Sequence, residues 1–114
     1  MTKGFWLSTC LPAFSAAIAA LCGPIDRGGI DPAVLHLNDW HAAAAVGFLE
    51  TIPPSILTIH TLGYQGVTEA WWMSRIPHRS WLFAWYDVAN PLAAAIRSVD
   101  RIVAVSPNYA REIL

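Results

Sequence analysis

Three short apolar runs rich in β-branched residues are spaced along the chain, and each is too short to form a helix. They occupy residues 34–37 (VLHL), 56–59 (ILTI) and 102–105 (IVAV). None alternates cleanly between polar and apolar side chains. That pattern is typical of strands buried on both faces, which occur in parallel sheets covered by helices. The runs therefore predict three parallel strands.

Helix signals separate and follow these runs. Each signal begins with a side chain that can cap a helix N-terminus, and two of them continue with proline at the first helical position. They lie at residues 39–50, 91–99 and 106–114, with the candidate caps Asn38 or Asp39, Asn90 and Ser106. Strands that alternate with helices predict right-handed crossovers. The expected fold class is therefore α/β, a Rossmann-like parallel sheet with flanking helices.

The first apolar segment, residues 5–22, allows more than one interpretation. We favour an alanine-rich helix packed inside the domain. A signal peptide is the alternative because the run follows Lys3 and contains small residues near its end, whereas Pro12 would kink a single transmembrane helix. Cys10 and Cys22 fit neither a zinc spacing nor a Cys-x-x-Cys motif, so we expect buried thiols in a reducing compartment.

The composition excludes some classes of function. Hydrophobic residues make up 55% of the chain and charged residues 13%, whereas globular proteins usually contain about 25% charged residues. Such a chain is too apolar for disorder, and it has either a well-buried core or a core without its full covering layer. The net charge of -1 provides no field that would attract nucleic acid, so we expect no nucleic-acid partner.

Polar side chains follow each predicted strand. They are Asn38, Asp39, Trp40 and His41 after the first strand, His60, Thr61, Tyr64 and Gln65 after the second, and Ser106, Asn108 and Tyr109 after the third. Ligands of open parallel sheets bind outside the carboxyl ends of the strands. The three clusters therefore predict one crevice at that edge of the sheet.

Three segments resemble motifs of the glycogen and starch synthase family. Residues 36–41 (HLNDWH) resemble H-x-[HN]-D-W-H, and residues 57–66 (LTIHTLGYQG) resemble T-[IV]-H-N-[LI]-A-[YH]-Q-G. Residues 90–114 resemble a family segment that ends in V-S-P-x-Y-A-x-E-I. The order and approximate spacing of the motifs agree with the family, while residues 67–88 are similar only loosely. Residues 1–114 thus resemble a single partial domain, part of the acceptor-side N-terminal domain.

The resemblance implies a partial GT-B fold. The family transfers glucose from ADP-glucose to the non-reducing end of an α-1,4-glucan with retention of configuration, and it needs no metal or other cofactor. Its N-terminal domain mainly carries the acceptor, and its C-terminal domain binds most of the nucleotide sugar. We therefore expect a cytoplasmic protein without a membrane partner. We also expect that this chain alone is inactive and that it can self-associate through an exposed sheet edge.

The resemblance makes His41 the catalytic candidate, because the family's histidine at this place lies beside the transferred glucose. A neutral imidazole can hydrogen-bond a sugar hydroxyl and support charge that develops near the anomeric carbon. Asp39 is expected to cap the helix and fix the loop, or to contact the sugar. The substrate-binding candidates on the same wall are Asp39, His60, Tyr64, Gln65 and Asn90.

Departures from the family pattern keep other interpretations open. Thr61, Gly63 and Ala93 stand where the family usually has Asn, Ala and Lys. The family's phosphate-contacting K-x-G-G-L segment and its nucleotide-sugar domain do not occur in the sequence. A non-catalytic truncated remnant or a carbohydrate-binding module would show the same departures. A small secreted or anchored protein that uses residues 5–22 as a signal is a third interpretation.

Structural roles are the simpler interpretation for several other residues. His36, between two leucines, is expected to be a hydrogen-bonded core histidine. A zinc site that combines it with His41 and His60 lacks a supporting thiolate or carboxylate pattern. The aromatic-rich stretch comprises Trp71, Trp72, Trp81, Trp85 and Tyr86. Such rings can stack on sugars, but their helical spacing favours a core role.

Overall fold

A computed structural model describes residues 10–114 of the chain. The α-helices are α1 (Leu11–Leu21), α2 (Asp39–Ala43), α3 (Pro91–Ile96) and α4 (Pro107–Ile113). The strands are β1 (Leu35–Asn38), β2 (Ser55–Ile59), β3 (Thr68–Glu69), β4 (Ala84–Trp85), β5 (Val88–Ala89) and β6 (Arg101–Ala104). Short 3-10 helices lie at Ile25–Arg27, Ala44–Gly47, Ala70–Arg75 and Ser80–Phe83.

The three predicted strands form one parallel sheet in the order β1-β2-β6. Leu37 of β1 lies opposite Leu57 of β2, and Leu57 lies opposite Ile102 of β6. The observed strand ends differ from the predicted ones by one residue at most. The α/β class, with a parallel sheet and flanking helices, is therefore confirmed.

Burial differs between the central strand and the two edge strands. In β2, Leu57 and Ile59 are buried, whereas β1 buries only Leu37. Ile102 and Val103 of β6 are 49% and 44% exposed. The expectation that all three strands are buried on both faces is wrong for the edge strands, because the described part of the chain covers them incompletely.

Two of the predicted helix caps are confirmed. The Oδ1 atom of Asn90 accepts a hydrogen bond from the Ala93 N–H at 3.0 Å, and α3 begins at the next residue, Pro91. The hydroxyl of Ser106 accepts from the Tyr109 N–H at 3.0 Å. Both caps satisfy backbone donors that the first turn of a helix leaves without partners.

The predicted helix over residues 39–50 is α-helical only as far as Ala43, and it continues as a 3-10 helix. Gly47 lies so close to its neighbours that a Cβ atom there would be 2.4 Å from Ile76 Cγ2. Arg79 hydrogen-bonds the carbonyl groups at the end of this segment, which would otherwise accept hydrogen bonds from the next helical turn. Its guanidinium donates to the backbone oxygens of Val46, Leu49 and Glu50 at 3.0, 2.6 and 2.6 Å. A side chain distant in sequence therefore ends this segment.

Helix α1 lies on the surface rather than inside the domain. It buries Leu11 and Ser15, while Phe14 and Leu21 are 46% and 51% exposed. Residues 5–9 of the predicted helix lie outside the described residues. Within residues 10–114, no helix combines the length and the apolar character that a membrane crossing requires.

Two further burial predictions are wrong. Cys10 and Cys22 are half-buried rather than buried, and burial raises the pKa of the Cys22 thiol. His36 is exposed because β1 is an edge strand. Its Nε2 atom shares a hydrogen bond of 2.6 Å with the Thr58 hydroxyl on the neighbouring strand. The imidazole is thus hydrogen-bonded, as predicted, but at the surface.

The loosely matching stretch folds into a small antiparallel sheet in the order β3-β5-β4, which the sequence did not predict. Each of these strands is two residues long, too short to show an alternating pattern. Within the aromatic-rich stretch, only Trp72 belongs to the core. Trp71, Trp81, Trp85 and Tyr86 are 49%, 69%, 40% and 92% exposed. The core prediction is therefore wrong for these four residues.

Candidate functional site

The loops that leave β1 and β2 are joined through the carboxylate of Asp39. Its Oδ1 atom accepts hydrogen bonds from the backbone N–H groups of His60 and Thr61, at 2.6 and 3.4 Å. Its Oδ2 atom lies 3.0 Å from Nδ1 of His60. The carboxylate therefore binds both the backbone and the side chain of the loop after β2.

This bridge replaces the predicted helix cap. The side chain of Asn38 makes no capping hydrogen bond to α2, and Asp39 points its carboxylate at the neighbouring loop instead. Asp39 has a φ angle of +58°, in the left-handed region that residues other than glycine seldom adopt. Asp and Asn are among the residues that tolerate this region best. The aspartate therefore suits both the backbone conformation and the bridge.

A second contact joins the same loops through Trp40 and Gly66. Gly66 has a φ angle of +71°, and its Cα faces the indole so closely that a Cβ atom would lie 2.5 Å from Cε3 of Trp40. The same Cβ would be 3.3 Å from Cγ of Pro91. Only glycine fits this place without displacing the indole. The Tyr64-Gln65 turn is thereby held against the Trp40-His41 turn.

The loop after β6 reaches the same edge through Tyr109. The Leu62 N–H donates to the Tyr109 hydroxyl at 2.5 Å. Tyr109 itself is held by the Ser106 cap at the start of α4. The three loops that the sequence predicted to share an edge are therefore joined by contacts at that edge.

Gln65 and Asn90 are linked by their amide groups. Asn90 Nδ2 donates to Gln65 Oε1 at 2.8 Å, and Gln65 Nε2 donates to the Leu62 carbonyl at 3.0 Å. Asn90 is only 1% exposed. Its other amide atom caps α3, so its hydrogen bonds hold the Gln65 loop on the helix. Asn90 is therefore a buried residue that positions Gln65, and its side chain does not face solvent.

His41, His60 and Tyr64 are the exposed members of the predicted set. The His41 imidazole stacks on the Trp40 indole, with ring centroids 4.0 Å apart and an interplanar angle of 29°. Among residues 10–114, neither ring nitrogen of His41 has a hydrogen-bond partner. Tyr64 is 71% exposed. The structure thus presents the His41 imidazole and the Tyr64 phenol to solvent without a partner for the His41 ring nitrogens among residues 10–114, whereas the exposed His60 imidazole is paired with Asp39.

The predicted side chains are divided between two cavities. His41 lines a cavity of about 460 Å³ beside β1, together with apolar side chains of α1 such as Phe14 and Ile18. Gln65 and Asn90 line another of about 310 Å³ beside α3. The loops meet at one edge of the sheet, but the prediction of a single crevice is wrong, because His41 and Gln65 line separate cavities. The described residues contain no group of three His, Cys, Asp or Glu side chains that could hold a metal ion.

Trp40 and Tyr109 both follow predicted strands, but their contacts at the site were not predicted. Trp40 supports both the His41 ring and the Gly66 backbone, and the Tyr109 hydroxyl accepts from the loop after β2. In the sequence, Gly66 is the residue that could have indicated a contact with Trp40. A backbone that lies this close to a ring needs a residue without a side chain. Nothing in the sequence pairs Leu62 with Tyr109.

The fold is the α/β arrangement of a GT-B catalytic domain. The catalytic domain of starch synthase IV from Arabidopsis thaliana, solved with ADP and acarbose bound, matches it with a TM-score of 0.72. The match covers 90% of this chain and 24% of that chain at 23% sequence identity, and it shows the fold alone.

The sequence model of the starch synthase catalytic domain family matches residues 8–114. The glycogen synthase of Gloeobacter violaceus is 41% identical over 90 residues, which cover 76% of this chain. That of Thioalkalivibrio sulfidiphilus is 38% identical over 100 residues and covers 79%. The chain therefore belongs to the starch synthase catalytic domain family. It spans 18% and 21% of the lengths of these two relatives.

We expect Gly66→Ala to destabilise the protein by about 2 kcal/mol or more, because the new methyl group overlaps Trp40 and the left-handed backbone disfavours alanine. Gly63→Ala is the matched control in the same loop, since its Cβ would meet only the Thr61 hydroxyl oxygen, at 3.8 Å. That change should stay within about 0.5 kcal/mol. Urea unfolding curves of both variants measure the difference. Equal effects would show that Gly66 does not pack on Trp40.

Proposed function

We propose that this chain is the acceptor-side part of a retaining glucosyltransferase. The complete enzyme would transfer glucose from ADP-glucose to the non-reducing end of an α-1,4-glucan. The observation that carries the proposal is an exposed imidazole, that of His41, fixed on Trp40 at the carboxyl edge of a parallel sheet in a chain of the starch synthase family. Ligands of such sheets bind at this edge.

The chemistry that we propose for His41 follows from its free nitrogens. A neutral imidazole can donate from one nitrogen and accept at the other, so it can hold a glucose hydroxyl in one orientation. Its lone pair can also stabilise positive charge that develops near the anomeric carbon in the transition state. Stacking on Trp40 limits the rotation of the ring. The protein therefore orients the imidazole before any sugar arrives.

The other site residues divide into positioning and contact roles in this proposal. Asp39 and His60 hold the loops after β1 and β2 together, and Asn90 holds Gln65. Tyr64, at 71% exposure, offers a ring face and a hydroxyl to the acceptor. Sugar rings present apolar faces that pack on aromatic side chains.

The partners that we propose for the complete enzyme are the α-1,4-glucan acceptor and ADP-glucose, and the location is the cytoplasm. We also propose that the isolated chain self-associates through β6. This edge strand exposes Ile102 and Val103, and its outer side lacks a neighbouring strand among residues 10–114. Open edges with apolar side chains pair readily with a second chain.

Substitution of the exposed edge tests self-association. We expect Val103→Lys to shift the isolated chain toward monomer, because an edge lysine disfavours strand pairing. Ile25→Lys is the matched control, since Ile25 is 73% exposed but lies in a 3-10 helix. Sedimentation velocity should find oligomers in the unmodified chain and in Ile25→Lys. A monomeric unmodified chain would contradict this part of the proposal.

The catalytic proposal is tested in two steps. We expect the isolated chain to transfer no labelled glucose from ADP-glucose to glycogen. We then replace the matching segment of the Gloeobacter violaceus glycogen synthase with this chain, and we expect the chimera to incorporate glucose. His41→Ala in the chimera should lower kcat by about 100-fold or more, the usual effect of removing a group that stabilises transition-state charge.

His78→Ala is the control for the chimera, because this histidine lies outside the site. Within residues 10–114, its one hydrogen bond is from its backbone N–H to the Gly47 carbonyl. It should keep the parent rate. Thermal melting of the three chimeras confirms that they are folded. A folded His41→Ala chimera with the parent rate would refute the catalytic assignment.

A further inference from the structure

We propose that Trp85 and Tyr86, the aromatic tip of the β4–β5 hairpin, together with the adjoining cavity, form a second glucan-binding site separate from His41. The choice of an α-glucan as ligand rests on the proposed function. The aromatic stretch had been assigned to the core, but Trp85 is 40% and Tyr86 92% exposed. The two neighbouring rings form one contiguous apolar patch, and such patches can mark interaction sites.

The hairpin holds the two rings in a fixed arrangement. Trp85 lies opposite Val88 in the antiparallel pair, and Tyr86 begins the turn with a φ angle of +55°. The Trp85 and Tyr86 ring centroids are 5.4 Å apart and their planes are nearly perpendicular, at 85°. A ligand therefore meets rings that need little further ordering, which lowers the entropic cost of binding.

Arg97, the residue after α3, contacts both the Trp85 ring and the backbone of the hairpin. Its guanidinium carbon lies 5.5 Å from the centroid of the Trp85 ring. Its Nη1 atom also donates to the carbonyls of Leu82 and Ala84, at 2.8 and 3.0 Å. One side chain thus fixes both the indole and the strand that carries it. The cation is engaged by the protein itself, so it is poorly suited to hold a phosphate or another anion.

The cavity beside the tip offers the mixed lining that a sugar requires. Trp85 and Arg97 line it with the amides of Gln65 and Asn90, and apolar side chains complete the wall. The apolar residues are Leu62, Leu92, Ala93 and Ile96. Both Asn90 amide atoms are already hydrogen-bonded, whereas the Gln65 amide keeps a second N–H that can bond a sugar hydroxyl. Aromatic and aliphatic surfaces pack on the apolar faces of a pyranose. A neutral polyhydroxylated chain fits this lining better than a charged one.

The position of the cavity indicates how the second site would assist the candidate site. Gln65 lines it and belongs to the same turn as Tyr64, which we place at the acceptor wall. A glucan held at the aromatic tip would therefore have its continuation close to the loops of the candidate site. Tethering a polymer at one site raises its effective concentration at a neighbouring one. The second site would thus supply the acceptor glucan for the proposed reaction, and His41 takes no part in this binding.

Affinity electrophoresis of the whole 114-residue chain in gels that contain glycogen tests the second site. Glycogen should retard the unmodified chain, and maltoheptaose should release it. We expect Trp85→Ala and Tyr86→Ala to bind about threefold to tenfold more weakly, the range for loss of one aromatic contact. Trp85→Phe, which keeps a ring, should restore part of the retardation.

The matched control is Trp81→Ala, because Trp81 is 69% exposed but does not line the cavity. It should bind like the unmodified chain. Tyr86 makes no core contact, so its variant remains informative if Trp85→Ala unfolds, and thermal melting identifies that case. An unmodified chain that glycogen does not retard overturns the proposal. Equal losses in Trp81→Ala and Tyr86→Ala also overturn it, because they indicate nonspecific aromatic adsorption.

The two assays separate this inference from the proposed function. If the second site is correct, Trp85→Ala and Tyr86→Ala weaken the glycogen retardation whether or not the chimera transfers glucose. Retardation that both variants leave unchanged would place the bound glucan elsewhere and overturn the second site. If the chimera transfers glucose only with His41 intact and glycogen does not retard the chain, the catalytic assignment holds and the proposed glucan site at Trp85 and Tyr86 is refuted.

Discussion

The carboxylate of Asp39 is the contact on which the candidate site depends. It accepts hydrogen bonds from the backbone after β2 and faces the His60 imidazole, so it fixes two loops that are far apart in sequence. The residue is 16% exposed, and hydrogen bonds to a charged acceptor contribute about 1.5–3 kcal/mol. Its left-handed backbone turns the chain from β1 directly into α2. The direction in which Trp40 and His41 leave the strand follows from this turn.

Trp40 contacts both loops at this edge of the sheet. The indole packs against the Gly66 backbone and stacks with the His41 ring. His41 lines the cavity beside α1, while the cavity beside α3 belongs to Gln65 and Asn90. Ala93, where the family usually has lysine, also lines the second cavity. This side of the domain is thus more neutral than the family pattern implies, which suits a polyhydroxylated ligand better than an anionic one.

Local signals in the sequence were sufficient for the parallel sheet and for two helix caps. The runs that became β1, β2 and β6 are apolar and β-branched, and Asn90 and Ser106 cap the helices that they precede. The motifs also predicted which loops would meet. Burial was less predictable, since the exposure of His36 and β6 depends on which strand lies at an edge. Likewise, the end of the 39–50 helix depends on the hydrogen bonds of Arg79. No local sequence pattern predicts its contact with Leu49, thirty residues away.

Amide hydrogen exchange at His60 tests the central claim most directly, because this N–H donates to Asp39 Oδ1 at 2.6 Å. The account predicts slow exchange of this amide in the unmodified chain and in Asp39→Asn, whose amide oxygen can still accept the hydrogen bond. In Asp39→Ala the same amide should exchange about tenfold faster or more, in line with the loss of a partly buried charged acceptor. Equal exchange rates in all three proteins would contradict the claim that Asp39 holds the two loops together.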